Sequence, residues 1–153
     1  MSGTTRVARP RGAAAIAIVN GTAAVLHVLF WSLAFLRLSS PPAGAISPPA
    51  EALPFTYGFG IADLLWSVPF LVVSAIGLWR MRDWGWFAAQ LAHALYFYSL
   101  TVIVVRDLLS RAISPGTVVF LPFAMFAMWA SVYLWRTRKL FWSNVSNSPC
   151  VER

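Results

Sequence analysis

The sequence predicts an all-α fold: a polytopic membrane protein built as a four-helix transmembrane bundle, with both termini on the cytoplasmic side. The first observation is composition, because 59% of the 153 residues are hydrophobic and only 11% are charged, against about 25% charged residues in ordinary soluble domains. The second is the presence of four apolar runs, each long enough to cross a hydrocarbon core of about 30 Å, which takes about 20 helical residues. The third is an uneven distribution of basic residues around those runs.

The four runs cover residues 12–36, 55–79, 84–105 and 117–135. They leave no stretch long enough for a soluble domain, so residues 1–153 are expected to form a single transmembrane domain. The first run exceeds the roughly 7–15 apolar residues of a signal peptide, and we therefore expect it to stay as an anchored helix. Methionine and aromatic side chains recur along the fourth run, and we interpret them as core.

The ends of the runs carry residues that favour helix boundaries. Asp83 is placed to cap the helix of the third run, and Ser114 followed by Pro115 is typical of an N-cap and a first helical position. Only residues 80–83 separate the second and third runs, which are therefore expected to form a tight antiparallel hairpin. Residues 37–54 are rich in proline, and we expect an exposed, semi-extended loop there.

The basic residues predict the orientation, because short loops rich in Lys and Arg tend to remain cytoplasmic. Nine lie before the first run, between the second and third, or after the fourth: Arg6, Arg9, Arg11, Arg80, Arg82, Arg136, Arg138, Lys139 and Arg153. Only Arg37, Arg106 and Arg111 lie at the opposite ends. Five tryptophans gather beside the nine, as in an interfacial belt: Trp79, Trp84, Trp86, Trp135 and Trp142. The excess of Arg over Lys, with abundant Ala, Gly and Pro, favours a prokaryotic plasma (inner) membrane as the location.

Charge, cysteine content and missing motifs exclude several function classes. The net charge of +7 collects at the ends of apolar runs, so the expected partner is the lipid bilayer and not nucleic acid. The single cysteine, Cys150, excludes an intramolecular disulfide and a CxxC redox pair. No Gly-rich phosphate loop, GxSxG or HExxH motif occurs, so the sequence does not predict an enzyme.

Small residues at helical spacing predict close helix contacts, because lipid gives large apolar side chains no reason to leave it for each other. The first run places Ala13, Ala17 and Gly21 at four-residue spacing, and the third places Gly85 before Ala89. Such seams serve contacts within one chain, within a homo-oligomer or within a larger membrane complex.

Asp63 is the acidic residue inside an apolar run, where an ionisable side chain costs about 2.5–3.5 kcal/mol even on a lenient scale. Ser67 and Ser74 share its helix face, which is therefore expected to look into the bundle. Gly58, Gly60 and, further along, Pro69 are expected to loosen or kink the helix nearby.

The two histidines also lie inside apolar runs. His27 shares a helix face with Asn20 in the first run, while His93 shares one with Gln90 in the third run and has Tyr96 beside it. At a rise of 1.5 Å per residue, the histidines, the tyrosine and the acidic residue of the second run all lie within roughly 6 Å of the middle of the membrane. We expect them to meet.

Two classes of function follow from these polar groups. In the first, Asp63 accepts hydrogen bonds from His27, Tyr96 or a serine and locks a structural, accessory or interaction subunit. In the second, Asp63 and a histidine form the centre of a proton-linked carrier or a small-ligand-binding membrane protein.

Two further alternatives concern a bound group. Haem b held between His27 and His93 needs only two axial histidines from different helices. A metal ion held by Asp63 with the two histidines is the other. Near the opposite end of the third run, Asp107 and Arg111 at i, i+4 spacing, together with Arg106, are interpreted as a solvated interfacial cluster.

Overall fold

The computed structural model describes residues 9–40 and 52–142, and within these ranges every regular element is a helix. The elements are α1 (Arg11–Ser39), α2 (Ala52–Ala62), a π-helical turn (Asp63–Ser67), α3 (Val68–Trp79), α4 (Asp83–Ser110), α5 (Pro115–Arg136) and α6 (Lys139–Trp142). Four stretches are long and apolar enough to cross a membrane: Arg11–Ser39, Leu53–Trp79, Asp83–Ser110 and Pro115–Arg136. An all-helical fold with four helices of membrane-spanning length is therefore confirmed, and each predicted apolar run lies inside one of these stretches.

The long helices pack in an up-and-down order. The continuous helix made of α2, the π turn and α3 packs on both α1 and α4, α4 packs on α5, and the contact between α1 and α5 is thinner. Cross-helix hydrogen bonds show the antiparallel arrangement: Asn20, early in α1, bonds Ser74, late in α3, whereas Trp31, later in α1, bonds Asp63.

Small side chains fill the inside of the bundle, and large apolar ones cover the outside. The buried face of α5 consists of Phe120, Ala124, Ala127, Ala130 and Leu134. Met125 and Met128 are 64% and 58% exposed, so the interpretation of the fourth-run methionines as core is wrong. In lipid a large apolar side chain loses nothing by facing acyl chains, whereas alanine lets two helices approach closely.

The hairpin between α3 and α4 is built on two glycines. A carbon added at Gly77 would overlap the backbone of Gly85, and one added at Gly85 would overlap Gly77. The turn closes through the left-handed Met81 (φ 52°) and a hydrogen bond from the Arg82 N–H to the Gly77 carbonyl (2.9 Å). The predicted tight hairpin therefore depends on a close approach of two helix backbones that only glycine, which has no side-chain carbon, permits.

The helix boundaries correct two predictions and support a third. α4 begins at Asp83 itself, whose Oδ1 accepts the Trp84 N–H (2.8 Å), so Asp83 occupies the first turn and is not the cap. The predicted loop at residues 37–54 is helical at both of its ends, while residues 41–51 lie outside the described ranges. Pro54 fits the first turn of α2, where a backbone N–H has no intrahelical partner. Ser114 is the N-cap of α5 with Pro115 in the first turn, as predicted.

The helix that carries Asp63 contains a π-helical turn at that residue. The Val68 N–H bonds the Asp63 carbonyl five residues back. Pro69 follows directly, and its missing N–H and its ring disfavour the ordinary α-helical register at this point. Gly60 has a different role from the predicted loosening: an added carbon there would overlap the rings of Trp31 and Phe35, so the glycine lets Trp31 lie against the helix.

Candidate functional site

Asp63 is a buried carboxylate that receives three hydrogen bonds. Its side chain is 4% exposed. Oδ2 accepts the indole N–H of Trp31 in α1 (3.1 Å), and Oδ1 accepts the hydroxyls of Ser67 one turn later (3.1 Å) and of Ser99 in α4 (3.3 Å). All three contacts supply donors to the carboxyl oxygens. The group therefore joins three packed helices through hydrogen bonds.

His27 and Tyr96 lie near Asp63 without bonding to it. The Nδ1–H of His27 donates to the Ala23 carbonyl of its own helix (3.0 Å), since a carbonyl can only accept. The ring of His27 makes edge contacts with Phe120 (centroids 5.0 Å apart) and Tyr96 (5.7 Å). The Tyr96 side chain is 5% exposed, and its hydroxyl has no partner among the described residues. The carboxylate thus takes its partners from serines and a tryptophan, not from the histidine or the tyrosine.

Asn20 belongs to a separate link between α1 and α3. Its Nδ2–H donates to the Ser74 hydroxyl (2.9 Å), which in turn donates to the Leu71 carbonyl (2.8 Å). Both side chains are buried. A complete pair of this kind satisfies polar atoms that would otherwise face hydrocarbon.

Gln90 and His93 form a third link, between α4 and α5. The Gln90 amide donates to the Ser131 carbonyl (3.3 Å), and Nδ1 of His93 lies 3.0 Å from the Ser131 hydroxyl. The Nε2 atom of His93 is buried and has no partner among the described residues. The six predicted site residues are therefore distributed over three places: Asp63 with His27 and Tyr96 nearby, Asn20 at Ser74, and Gln90 with His93 at Ser131.

The packing around the histidines does not fit a haem. Two axial histidines must face one porphyrin-sized space. The cavity beside His27 measures about 20 Å³, enough for a single water and too small for a porphyrin. Within residues 9–40 and 52–142 no three His, Cys, Asp or Glu side chains come together in a way that would hold a metal ion.

Three residues that sequence reasoning did not include in the site complete these links: Trp31, Ser99 and Ser131. Trp31 had a detectable signal, because it continues the buried face of α1 that Asn20 and His27 define at helical spacing. The serines had none, since an isolated serine in an apolar run is as compatible with a lipid-facing position as with a buried one.

Asp107 is a corner residue and not part of a solvated cluster. Its carboxylate accepts the Ser114 N–H (2.8 Å), the Ser114 hydroxyl (3.1 Å) and the Thr117 hydroxyl, and it pairs with Arg106 (2.8 Å). Among the described residues Arg111 makes no side-chain ion pair with Asp107; it takes a left-handed conformation (φ 52°) at the end of α4, and its backbone N–H bonds the Asp107 carbonyl. The carboxylate therefore fastens the start of α5 to the end of α4.

Neither a protein-family model, nor a curated protein, nor a solved structure matches this chain. The class of protein is set by the helices alone: the described part is all-helical, with four helices of a length and apolarity suited to spanning a membrane.

Proposed function

We propose that the protein is a small multi-pass integral membrane protein with a structural, accessory or interaction role, whose internal polar residues lock the bundle. It resides in the plasma (inner) membrane with both termini cytoplasmic, and it acts within a homo-oligomer or a larger membrane complex. The lipid bilayer is its principal partner.

The observation that carries this proposal is the set of hydrogen bonds at Asp63. Donors from α1, from its own helix and from α4 occupy both carboxylate oxygens. A group that exchanges protons or binds a ligand needs a free site or a path to water. The bonds at Asp63 are instead those of a residue that fixes how three helices pack.

The orientation follows from the basic residues. Arg9 lies over the ring of Trp79 (4.0 Å), and Arg138 lies over Trp135 (5.1 Å). Such cation–π pairs combine the two residue types that anchor helices at a membrane surface. This cationic and aromatic end of the bundle is proposed to face the cytoplasm.

The test is the isosteric substitution Asp63→Asn. Asparagine supplies an N–H₂ group where the carboxylate accepted, so at least one of the three donors loses its acceptor. We expect the free energy of unfolding in mixed micelles to fall by roughly 1–3 kcal/mol. The matched control is Asp83→Asn, the same substitution at a half-buried position in the first turn of α4, which costs about 0.3–1 kcal/mol. Equal stability of the Asp63→Asn variant and the wild type would refute the lock.

A second candidate function, a proton-linked carrier or small-ligand-binding protein centred on Asp63 with His27, is favoured by one observation. The π-helical turn at Asp63 is a local deviation that often marks functional positions. Proton flux into liposomes that contain the wild-type protein separates the two functions. Flux that exceeds empty liposomes and is lost in Asp63→Asn would favour the carrier, and no excess flux is expected of a lock.

A further inference from the structure

A cavity of about 440 Å³ lies at the end of the bundle where α1 finishes and α5 begins. Its inner wall is apolar and largely aromatic, formed by Trp31, Phe59, Ile103 and Phe120 from four different helices. The volume falls in the lower part of the range of about 300–1,000 Å³ that is typical of small-ligand sites. It lies on the side of the bundle where α1 and α5 face each other, and these two helices make a smaller contact than the other neighbouring long helices.

Two guanidinium groups line the same cavity near the helix ends, Arg37 in the last turn of α1 and Arg106 in α4. Arg106 is paired with Asp107 and also bonds Ser114. Arg37 has no hydrogen bond or ion pair with any described residue, so one positive charge at the cavity is uncompensated within that part of the chain. The start of α5 at Ser114 and Gly116 also lines the cavity.

We propose that this cavity binds a single-chain anionic amphiphile, a long-chain fatty-acid carboxylate, with its carboxylate at Arg37 and its acyl chain against the aromatic wall. The proposal goes beyond a structural role, since it gives the protein a ligand. The arrangement of groups selects this chemistry: the cationic group lies near the helix end, where a carboxylate at the membrane surface would be, and the apolar wall lies deeper. A cavity of about 440 Å³ suits one acyl chain better than the two chains of a phospholipid.

The experiment is photo-crosslinking in nanodiscs of phosphatidylcholine, with a fatty acid that carries a diazirine in its chain as the probe. Labelled peptides are mapped by mass spectrometry. We expect labelling of the cavity wall around Trp31 and Phe120. Sodium laurate should compete with the probe, and dodecanol, which has the same chain without the charge, should not.

Two pairs of variants give the matched controls. Arg37→Gln should weaken competition by laurate roughly tenfold, the worth of one charge-assisted hydrogen bond, whereas Arg111→Gln removes the same charge at the same end of the bundle outside the cavity and should have no effect. Ala34→Phe fills the cavity and should abolish labelling, whereas Ala15→Phe on the exposed face of the same helix should not. Each variant is checked for an unchanged melting temperature in the same nanodiscs.

Three outcomes would overturn the proposal. Laurate and dodecanol competing equally would show that the site does not recognise the charge. Equal losses in Arg37→Gln and Arg111→Gln would reduce the effect to general electrostatics. Competition by phosphatidylglycerol that depends on Arg37, with none by laurate, would assign the cavity to a bilayer phospholipid instead.

Discussion

A buried carboxylate in a membrane protein has few ways to be stable, and Asp63 uses one that needs no cation. Water is absent from the hydrocarbon, so each donor that reaches the carboxylate replaces a solvent hydrogen bond directly. Trp31 in α1 is one of these donors, and Gly60 in the facing helix provides the space for its ring. The indole therefore combines packing with a polar contact, the pairing for which tryptophan is suited.

Substitution of Trp31 by phenylalanine is predicted to weaken the lock. The ring volume is largely kept and the N–H is lost, so one oxygen of Asp63 loses its only partner. We expect the free energy of unfolding in mixed micelles to fall by roughly 1–3 kcal/mol relative to the wild type. Trp66→Phe, the same change at a position that faces outward, serves as control and should stay within about 0.5 kcal/mol. A similar loss in both variants would mean that the indole N–H contributes nothing specific.

Two connections between helices, the α3–α4 corner and the α4–α5 corner, are stabilised by different physical effects. The α3–α4 corner depends on the absence of side chains at Gly77 and Gly85. The α4–α5 corner depends on one carboxylate, Asp107, which gathers Ser114 and Thr117 from the start of the next helix. One corner is a steric contact and the other is a set of hydrogen bonds, so they should respond to different substitutions.

The steric corner is tested by Gly85→Ala. The new methyl group meets the backbone of Gly77, which cannot move aside as a flexible side chain would, so the helices must separate. We expect a loss of about 1–3 kcal/mol of stability in the same unfolding assay. Gly58→Ala is the matched control, because a carbon added there meets nothing within 4 Å, and alanine should stabilise the helix by roughly 0.5–1 kcal/mol. Opposite signs for the two variants are the expected result, and a shared sign would contradict the contact.

The hydrogen-bonded corner is tested by Thr117→Val, which keeps the side-chain shape and removes the donor to Asp107. Local opening of residues 111–117 should become easier by about 0.5–1.5 kcal/mol, and amide hydrogen exchange there should accelerate roughly two- to tenfold. Thr101→Val is the control, since the hydroxyl of Thr101 only returns to the Phe97 carbonyl of its own helix. Unchanged exchange in Thr117→Val would show that Asp107 does not fasten the corner.

At the scale of the whole molecule, hydropathy predicted where the helices are but not how each is rotated about its axis. Helix position depends on local composition and on end signals such as Ser114, which the sequence displays directly. Rotation depends on which faces pack best, and in lipid alanine faces pack while large side chains point outward, as Met125 shows. That is why the sequence predicts a buried Asp63 but leaves its donors open among His27, Tyr96 and a serine, of which only serines bond to it. The partner Ser99 follows from how α4 is rotated against its neighbours, which no single helix specifies.

The orientation of the bundle is the last prediction, and it belongs to the molecule as a whole. Among the described residues, seven basic residues lie at one end of the bundle and three at the other, so the first of these ends should be the cytoplasmic one. Cys150, the single cysteine, reports on the C-terminal side. In intact cells a membrane-impermeant maleimide should fail to label it and should label it fully after the membrane is permeabilised. A second protein, Ser40→Cys in a Cys150→Ser background, places the thiol at the exposed end of α1 on the opposite side and should be labelled without permeabilisation. The reverse pattern would invert the proposed orientation.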